Sequence, residues 1–346
     1  VWACFRLDLW GFATKLFEKG REYPLEMSVL VTGGAGYIGS HVVRLLQNQG
    51  AEVVVVDDFS TGLSDRVGTA NQIQLNLAEP GAQQALERGI REHGVNAVIH
   101  LAARKQVGES VEKPELYYEQ NIGGMANLLS AMRETGVTRM VFSSSAATYG
   151  MPDVELVSED LRCEPINPYG QTKLVGEWMT ANASRAWGLR VANLRYFNVA
   201  GAGWPELADT AVMNLVPIVF AALKNGQQPK VFGTDYPTPD GSCIRDYVHV
   251  LDLAEAHIAA LGYLERDDRA HETFNVGTGV GSSVLEVLAE IKTVTGIDFD
   301  INYADRRAGD PPRLCADVSR IAETMGWSSK RNLHEIIDSA WQAISR

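Results

Sequence analysis

The chain has 346 residues, a hydrophobic fraction of 45%, a charged fraction of 21% and a formal net charge of -12, the profile of an ordinary globular protein able to bury one or two cores. That acidic balance opposes sequence-independent contact with DNA, RNA or anionic lipid, which needs a basic face. It leaves room for a small anionic ligand held by a few arginines and backbone amides.

The opening 26 residues are interrupted by acidic side chains and lack a signal-peptide layout. The chain begins with Val1, so translation is expected to start at Met27, directly before "SVLVTGG"; intact-mass measurement of natively expressed protein tests this. From Ser28, short β-branched runs alternate with helical patterns. "SVLVT" leads into a helix through "HVVRLLQNQ"; "EVVVVD", "IQLNL", "NAVIHLAA", "RMVFSSS" and "RVANLRYF" follow, with helical stretches such as "NLLSAMRET" between them. Near-continuous apolar strands separated by helices predict a doubly wound α/β fold, a parallel sheet covered on both faces, over residues 27–200. After about Gly201 come Pro- and Gly-rich loops, "VFGTDYPTPDGS" and "RRAGDPPR", separated by helices such as "SVLEVLAEIKTV". Residues 201–346 read as a smaller substrate-binding region whose chain can return to the first sheet.

Cys4, Cys163, Cys243 and Cys315 lie far apart, without C-x-x-C spacing or a neighbouring His cluster, and read as free thiols of a reducing, cytoplasmic compartment, with no metal site. No apolar run approaches the roughly 20 residues of a membrane span.

Three short stretches carry chemistry. In "VTGGAGYIGSH", Gly34, Gly36 and Gly39 satisfy G-x-G-x-x-G, and Gly33, Gly36 and Gly39 fit the wider G-x-x-G-x-x-G. Between a strand and a helix, such glycines permit the tight turn and close approach of backbone to a dinucleotide diphosphate. Asp57 ends the second strand, where a carboxylate binds an adenosine ribose diol and repels a 2'-phosphate, so NAD is expected rather than NADP. In "VFSSSAATYG", Ser143, Ser144 and Ser145 stand at the ligand-binding edge of a parallel sheet, although strand-end serines often only satisfy turns. In "NPYGQTK", Tyr169 and Lys173 are one helical turn apart. With 11 tyrosines in the chain, that spacing alone says little. Joined to the serines and the glycine turn, it reads as a hydroxyl to orient a substrate alcohol, a phenolate to take its proton and an ammonium to keep the phenolate charged.

These three elements resemble the extended short-chain dehydrogenase/reductase superfamily. More closely, "VVDDFSTG", "KQVGES", "YYEQNIGG", "RYFNVAGA", "FGTDYPTPDGSCIRDYVHVLDLA" and "RRAGDPPR" resemble the UDP-glucose 4-epimerase family, over nearly all of the chain from Met27. The resemblance implies an NAD-binding Rossmann domain, a smaller C-terminal α/β domain and a cycle without net redox change. The sugar is oxidised at C4 with bound NAD, the 4-keto sugar turns over, and hydride returns to its other face. Tyr169 would take the proton, Ser145 would hydrogen-bond the reacting oxygen, and Lys173 would bind nicotinamide ribose and depress the Tyr169 pKa.

The resemblance also places Gly33, Gly36, Tyr37, Ile38, Gly39, Asp57, Asp58, Asn76, Leu77, Lys105 and Phe197 at the cofactor, with Asn121 nearby. Asn76 stands where the family commonly has Asp. For the UDP-sugar it implies Asn198, Asn214, Leu215, Phe232, Arg245, Tyr247, Arg307, Asp310 and Leu314. Two arginines from distant loops can converge on a diphosphate, against the commoner fate of arginine as a solvated surface residue. Leu314 takes a position where a bulky aromatic confines relatives to simple hexoses and a small residue admits N-acetyl sugars, so substrate breadth stays open, as do UDP-xylose and UDP-glucuronate. His100 and His249 read as packed structural histidines. Ala146 and Ala147 stand where 4,6-dehydratases carry an Asp-Glu pair and decarboxylases a Glu. A non-catalytic dinucleotide sensor would need the glycine turn but not the Ser-Tyr-Lys set. A homodimer formed through two helices of the first domain is also implied.

Overall fold

The computed structural model describes residues 27–266, 271–307 and 309–345; the expected start at Met27 concerns residues outside these. Strand β1 (Ser28–Thr32) is apolar on both faces because helices cover both. Val29 and Val31 point into one core with Val42, Val43 and Leu46 of helix α1 (Tyr37–Asn48), while Leu30 points into the other. Burying each such side chain contributes about 1.5–3 kcal/mol. The remaining strands of this sheet are β2 (Glu52–Asp57), β3 (Asn71–Gln74), β4 (Ala97–His100), β5 (Arg139–Ser145), β6 (Arg190–Tyr196) and β10 (His271–Val276).

The order is β10-β6-β5-β4-β1-β2-β3, with every neighbouring pair parallel. The direction of winding therefore reverses between β1 and β4, and a crevice opens there at the carboxyl ends of the strands. Helices α2 (Ala82–Glu92) and α3 (Gly124–Thr135) pack together over the Leu30 face. Helix α4 (Pro168–Trp187) runs beside β5.

Beyond residue 200 the chain builds small sheets. β9 (Ile244–His249) sits between β11 (Gly281–Ser283) and β13 (Arg313–Leu314) and also pairs with β7 (Asn198–Ala200), while β8 (Lys230–Phe232) pairs with β12 (Asn302–Ala304). Helices α5 (Leu215–Lys224), α7 (Val284–Thr295) and α8 (Leu333–Ile344) close a third apolar cluster around Val216, Val231, Leu288 and Ile337. The chain also crosses back over the expected division at residue 200. Helix α6 (Val250–Arg266) packs on α1, and β10 extends the large sheet from β6.

The run "IQLNL" departs from the strand expected there. β3 stops at Gln74, and the Asn76 side-chain oxygen accepts the Ala78 amide at 2.9 Å, a local side-chain turn that competes with the ladder. No helix among the described residues is long and apolar enough to cross a membrane.

Candidate active site

A cavity of about 290 Å³ opens at the switch point between β1 and β4. Its floor is the glycine turn. Gly33 has φ 68°, and a Cβ there would stand 2.7 Å from the Ala102 nitrogen; at Gly39 it would stand 2.2 Å from the Gly33 oxygen. Both positions therefore need glycine for the turn and for the approach of α1 to the sheet. Gly36, immediately before α1, would bring a Cβ to 3.3 Å from the Gly33 oxygen, and it lines the cavity. Asp57 closes β2 with its carboxylate held by the amides of Ala35 (3.0 Å) and Phe59 (2.9 Å). Burial pushes its carboxyl up, and those amides pull it back. A diphosphate cradle with a fixed carboxylate one strand away fits NAD.

Tyr37, Ile38, Asp58, Asn76, Leu77 and Lys105 also line this cavity. The Tyr37 hydroxyl donates to the Gly201 carbonyl at 2.5 Å, tying α1 to the second half. Two of the expected cofactor residues have further contacts or a different place. The Asn121 amide lines the cavity but is spent on the Arg104 nitrogen (2.8 Å), the Arg104 carbonyl (3.0 Å) and the Thr172 hydroxyl (3.0 Å), so it fixes the loop after β4 against α4. Phe197 is buried with Ala146, Tyr149 and Val157, outside the cavity wall; its neighbour Tyr196 reaches the cavity instead.

The candidate reactive groups come from β5 and α4. Ser145 ends β5 and caps a short turn, its hydroxyl oxygen accepting the Ala147 amide at 3.1 Å. Helix α4 starts abruptly because the Asn167 side chain accepts the Gly170 amide at 2.9 Å and Pro168 occupies the first turn. This start places Tyr169 and Lys173 on one face and in the cavity wall. The Lys173 ammonium donates to the Ser143 carbonyl at 2.7 Å and stands 5.9 Å from the centre of the Tyr169 ring.

Burial raises the Tyr169 pKa, and the hydrogen bond from Ser145 opposes it. The Lys173 ammonium, 5.9 Å from the ring centre, is turned to the Ser143 carbonyl. Burial draws Lys173 itself down to about 8, with the Glu177 carboxylate pulling the other way.

Glu177, missed by the sequence reading, stands one turn beyond Lys173 on the same helix face, a signal the spacing did carry. It forms a buried ion pair with Arg195 at 2.5 Å and accepts from Ser144. Arg195 in turn donates to the Tyr149 hydroxyl at 2.9 Å, and Tyr149 to Asn275 at 2.7 Å. Although burial opposes its charge, the Glu177 contact holds Arg195 protonated above its ordinary range. The histidines are structural. His100 meets Thr32 at 2.7 Å and His249 meets Ser339 at 3.0 Å; burial lowers each to about 3, aided by Lys173 at His100 and by Arg331 at His249.

On the sugar side, β9 gathers several expected residues. β7 sets Asn198 opposite Tyr247, and β13 sets Leu314 opposite Arg245. Arg245 donates to the Ile244 and Pro311 carbonyls, both at 2.8 Å, and pairs with Asp310 at 3.4 Å. Leu314 packs on the cluster that holds Ala146 and Phe197, next to Ser145 in the chain. Tyr247 and Leu215 join the third core. Asn214 precedes α5 and donates to the Asp209 carboxylate at 3.1 Å. The Arg307 guanidinium lies 3.7 Å above the Phe232 ring, a cation–π stack at the end of β8.

Comparison with known proteins agrees with this geometry. The chain matches the NAD dependent epimerase/dehydratase family over residues 29–277. It is 45% identical over 317 residues to the UDP-glucose 4-epimerase of Azospirillum brasilense, covering 90% of each chain. Among solved structures it is similar to a UDP-glucose-4-epimerase from Stenotrophomonas maltophila with bound NAD and formylated UDP-arabinopyranose, with a TM-score of 0.87, 39% identity, and 92% of this chain and 97% of that one covered. It is also similar to the UDP-glucose 4-epimerase of Brucella ovis in complex with NAD, with a TM-score of 0.85, 41% identity, and 91% and 97% covered. The chain belongs to the NAD dependent epimerase/dehydratase family.

Proposed function

We propose that the chain is a UDP-glucose 4-epimerase, interconverting UDP-galactose and UDP-glucose by inverting the sugar at C4. One observation carries this reading: Tyr169 and Lys173 stand in the wall of the nucleotide cavity with Ser145 against Tyr169, while Ala146 and Ala147 supply no acid or base for elimination. Bound NAD supplies the hydride acceptor and donor for C4, so the overall reaction has no net redox change. Tyr169 takes the proton of the C4 hydroxyl and later returns it, and Ser145 donates to the same oxygen. Lys173 holds positive charge beneath the phenol. Its direct bond to the Ser143 carbonyl fixes it there. Arg245 and Arg307 offset the charge of the substrate diphosphate, and Asp310 keeps Arg245 in place. Leu314 borders the sugar and sets how much room a C2 substituent has.

The test is conversion of UDP-galactose, UDP-N-acetylgalactosamine and UDP-glucuronate by purified protein without added NAD, followed by NMR of the anomeric protons. Interconversion of the two hexoses is expected. No reaction with any of the three after NAD is supplied would reject the assignment. Conversion of the N-acetyl sugar would extend it to a wider pocket beside Leu314. A cytoplasmic homodimer is part of the same proposal. Its support is the exposed apolar residues Val107, Val111 and Trp178 on α4 and on the short helix Val107–Glu112 that packs against it. Sedimentation at a single protomer mass would reject the dimer.

A further inference from the structure

Arg66 lies in the short turn Ser64–Val67 after β2, and this turn rests against the glycine turn. The Leu63 amide donates to the Ala35 carbonyl at 3.1 Å, and a Cβ on Gly62 would stand 2.8 Å from the Ala35 Cβ. Arg66 is only 6% exposed, yet it is part of the cavity wall together with Gly36, Tyr37 and Thr210. One terminal nitrogen, Nη2, donates to the Ala208 carbonyl at 2.9 Å and reaches the Thr210 hydroxyl at 3.4 Å. Its Nε is buried without a hydrogen-bond partner. No carboxylate among the described residues forms an ion pair with it. The contrast is Arg195, equally buried but matched by Glu177.

A guanidinium buried without a counter-ion is costly unless an anion completes it. The anion that belongs in this cavity is the dinucleotide diphosphate, seated where the glycine turn meets the first turn of α1. We propose that Arg66 anchors the cofactor: its guanidinium is the counter-charge for the diphosphate, and its hold on residues 208 and 210 latches a segment of the second half beside the bound dinucleotide. Arginine suits this task because its charge is permanent and its planar fork can face phosphate oxygens while still bonding a carbonyl. The inference rests on the NAD reading and adds to it a residue outside both the glycine turn and the catalytic set.

The experiment measures NAD release. Holoenzyme carrying isotopically labelled NAD is mixed with excess unlabelled NAD, and the label still bound is followed with time for the wild type and for Arg66→Met, which keeps the apolar stem. Loss of one charged contact is expected to speed release about 10- to 100-fold. The same variant should lose affinity for ADP and keep that for adenosine, measured calorimetrically. Release at the wild-type rate, or equal losses for ADP and adenosine, would overturn the proposal. If circular dichroism shows that Arg66→Met does not fold, Arg66→Lys carries the test. A charge without the fork should release NAD about tenfold faster, and wild-type release would again overturn the idea. Wild-type protein that neither carries nor takes up NAD would sink the NAD reading itself, a result distinct from either variant outcome.

Discussion

Replacing Lys173 by methionine separates what the ammonium costs the fold from what it does for the reaction. The side chain is 4% exposed, and burial holds its pKa at about 8 against an ordinary value of 10.5. At 1.36 kcal/mol per pH unit, that gap means burial of the charged amine costs about 3 kcal/mol at neutral pH. The folded value lies below the unfolded one, so between pH 8 and 10.5 the unfolded chain binds the extra proton. The cost is therefore fully present below about pH 8 and disappears as the pH rises through 10.5.

Methionine fills the stem without the charge and leaves the Ser143 carbonyl without its 2.7 Å donor, an offset of about 1–3 kcal/mol. The stability of Lys173→Met relative to wild type should then be highest near pH 7 and fall by about 3 kcal/mol toward pH 10.5. Urea unfolding of both proteins, stripped of nucleotide and followed by fluorescence at a series of pH values, measures the difference. Contributions from the other lysines and tyrosines cancel between the two chains. His100, lowered to about 3 by burial and Lys173, does not titrate in the window. Parallel stability curves for the two proteins would refute the assignment of a buried, charged Lys173. Epimerisation by the variant should fall about 10²- to 10⁴-fold.

Tyr169→Phe removes the phenol that Ser145 contacts and should lower epimerisation by about 10²- to 10⁴-fold while NAD retention is unchanged; a coupled assay on UDP-galactose showing normal turnover would exclude Tyr169 as the base. Glu177→Gln strips Arg195 of its buried counter-charge and should cost about 3–5 kcal/mol. Calorimetric melting is expected to show that Glu177→Gln combined with Arg195→Met recovers much of this. The two glycines of the turn should separate cleanly. At Gly39 a Cβ would meet the Gly33 oxygen at 2.2 Å, so Gly39→Ala should destabilise the fold strongly; at Gly36 it would meet the same oxygen at 3.3 Å, a tight contact a small shift relieves, so Gly36→Ala should melt far closer to wild type than Gly39→Ala yet bind NAD at least about tenfold more weakly.

Much of the first half could be read directly from the sequence. The runs "SVLVT", "EVVVVD" and "RMVFSSS" became β1, β2 and β5 with the expected residues, because strands buried on both faces need near-continuous apolar runs. The glycine turn and the Tyr169–Lys173 spacing were legible for a similar reason: each depends on backbone conformation or on a helical repeat within a few residues. Less local features were hidden. The approach of β10 to β6, 80 residues away in register at Asn193 and Thr273, leaves no trace in either segment. Asn121 lines the cavity, but its bonds to Arg104 and Thr172, which tie the loop after β4 to α4, could not be read from its pattern.

The sequence by itself determined the alternation of strands and helices, the glycine turn after the first strand and the Tyr169–Lys173 spacing, since these follow from hydrophobic period, turn chemistry and residue type. Only the tertiary structure decided how those groups are charged. Burial pushes Tyr169 up against the hydrogen bond from Ser145, Lys173 is drawn toward neutrality by burial, and Glu177 is locked to Arg195 from a different strand. The energy of an ionisable group depends on which charges, dipoles and apolar atoms surround it in space. Folding brings those neighbours from distant parts of the chain.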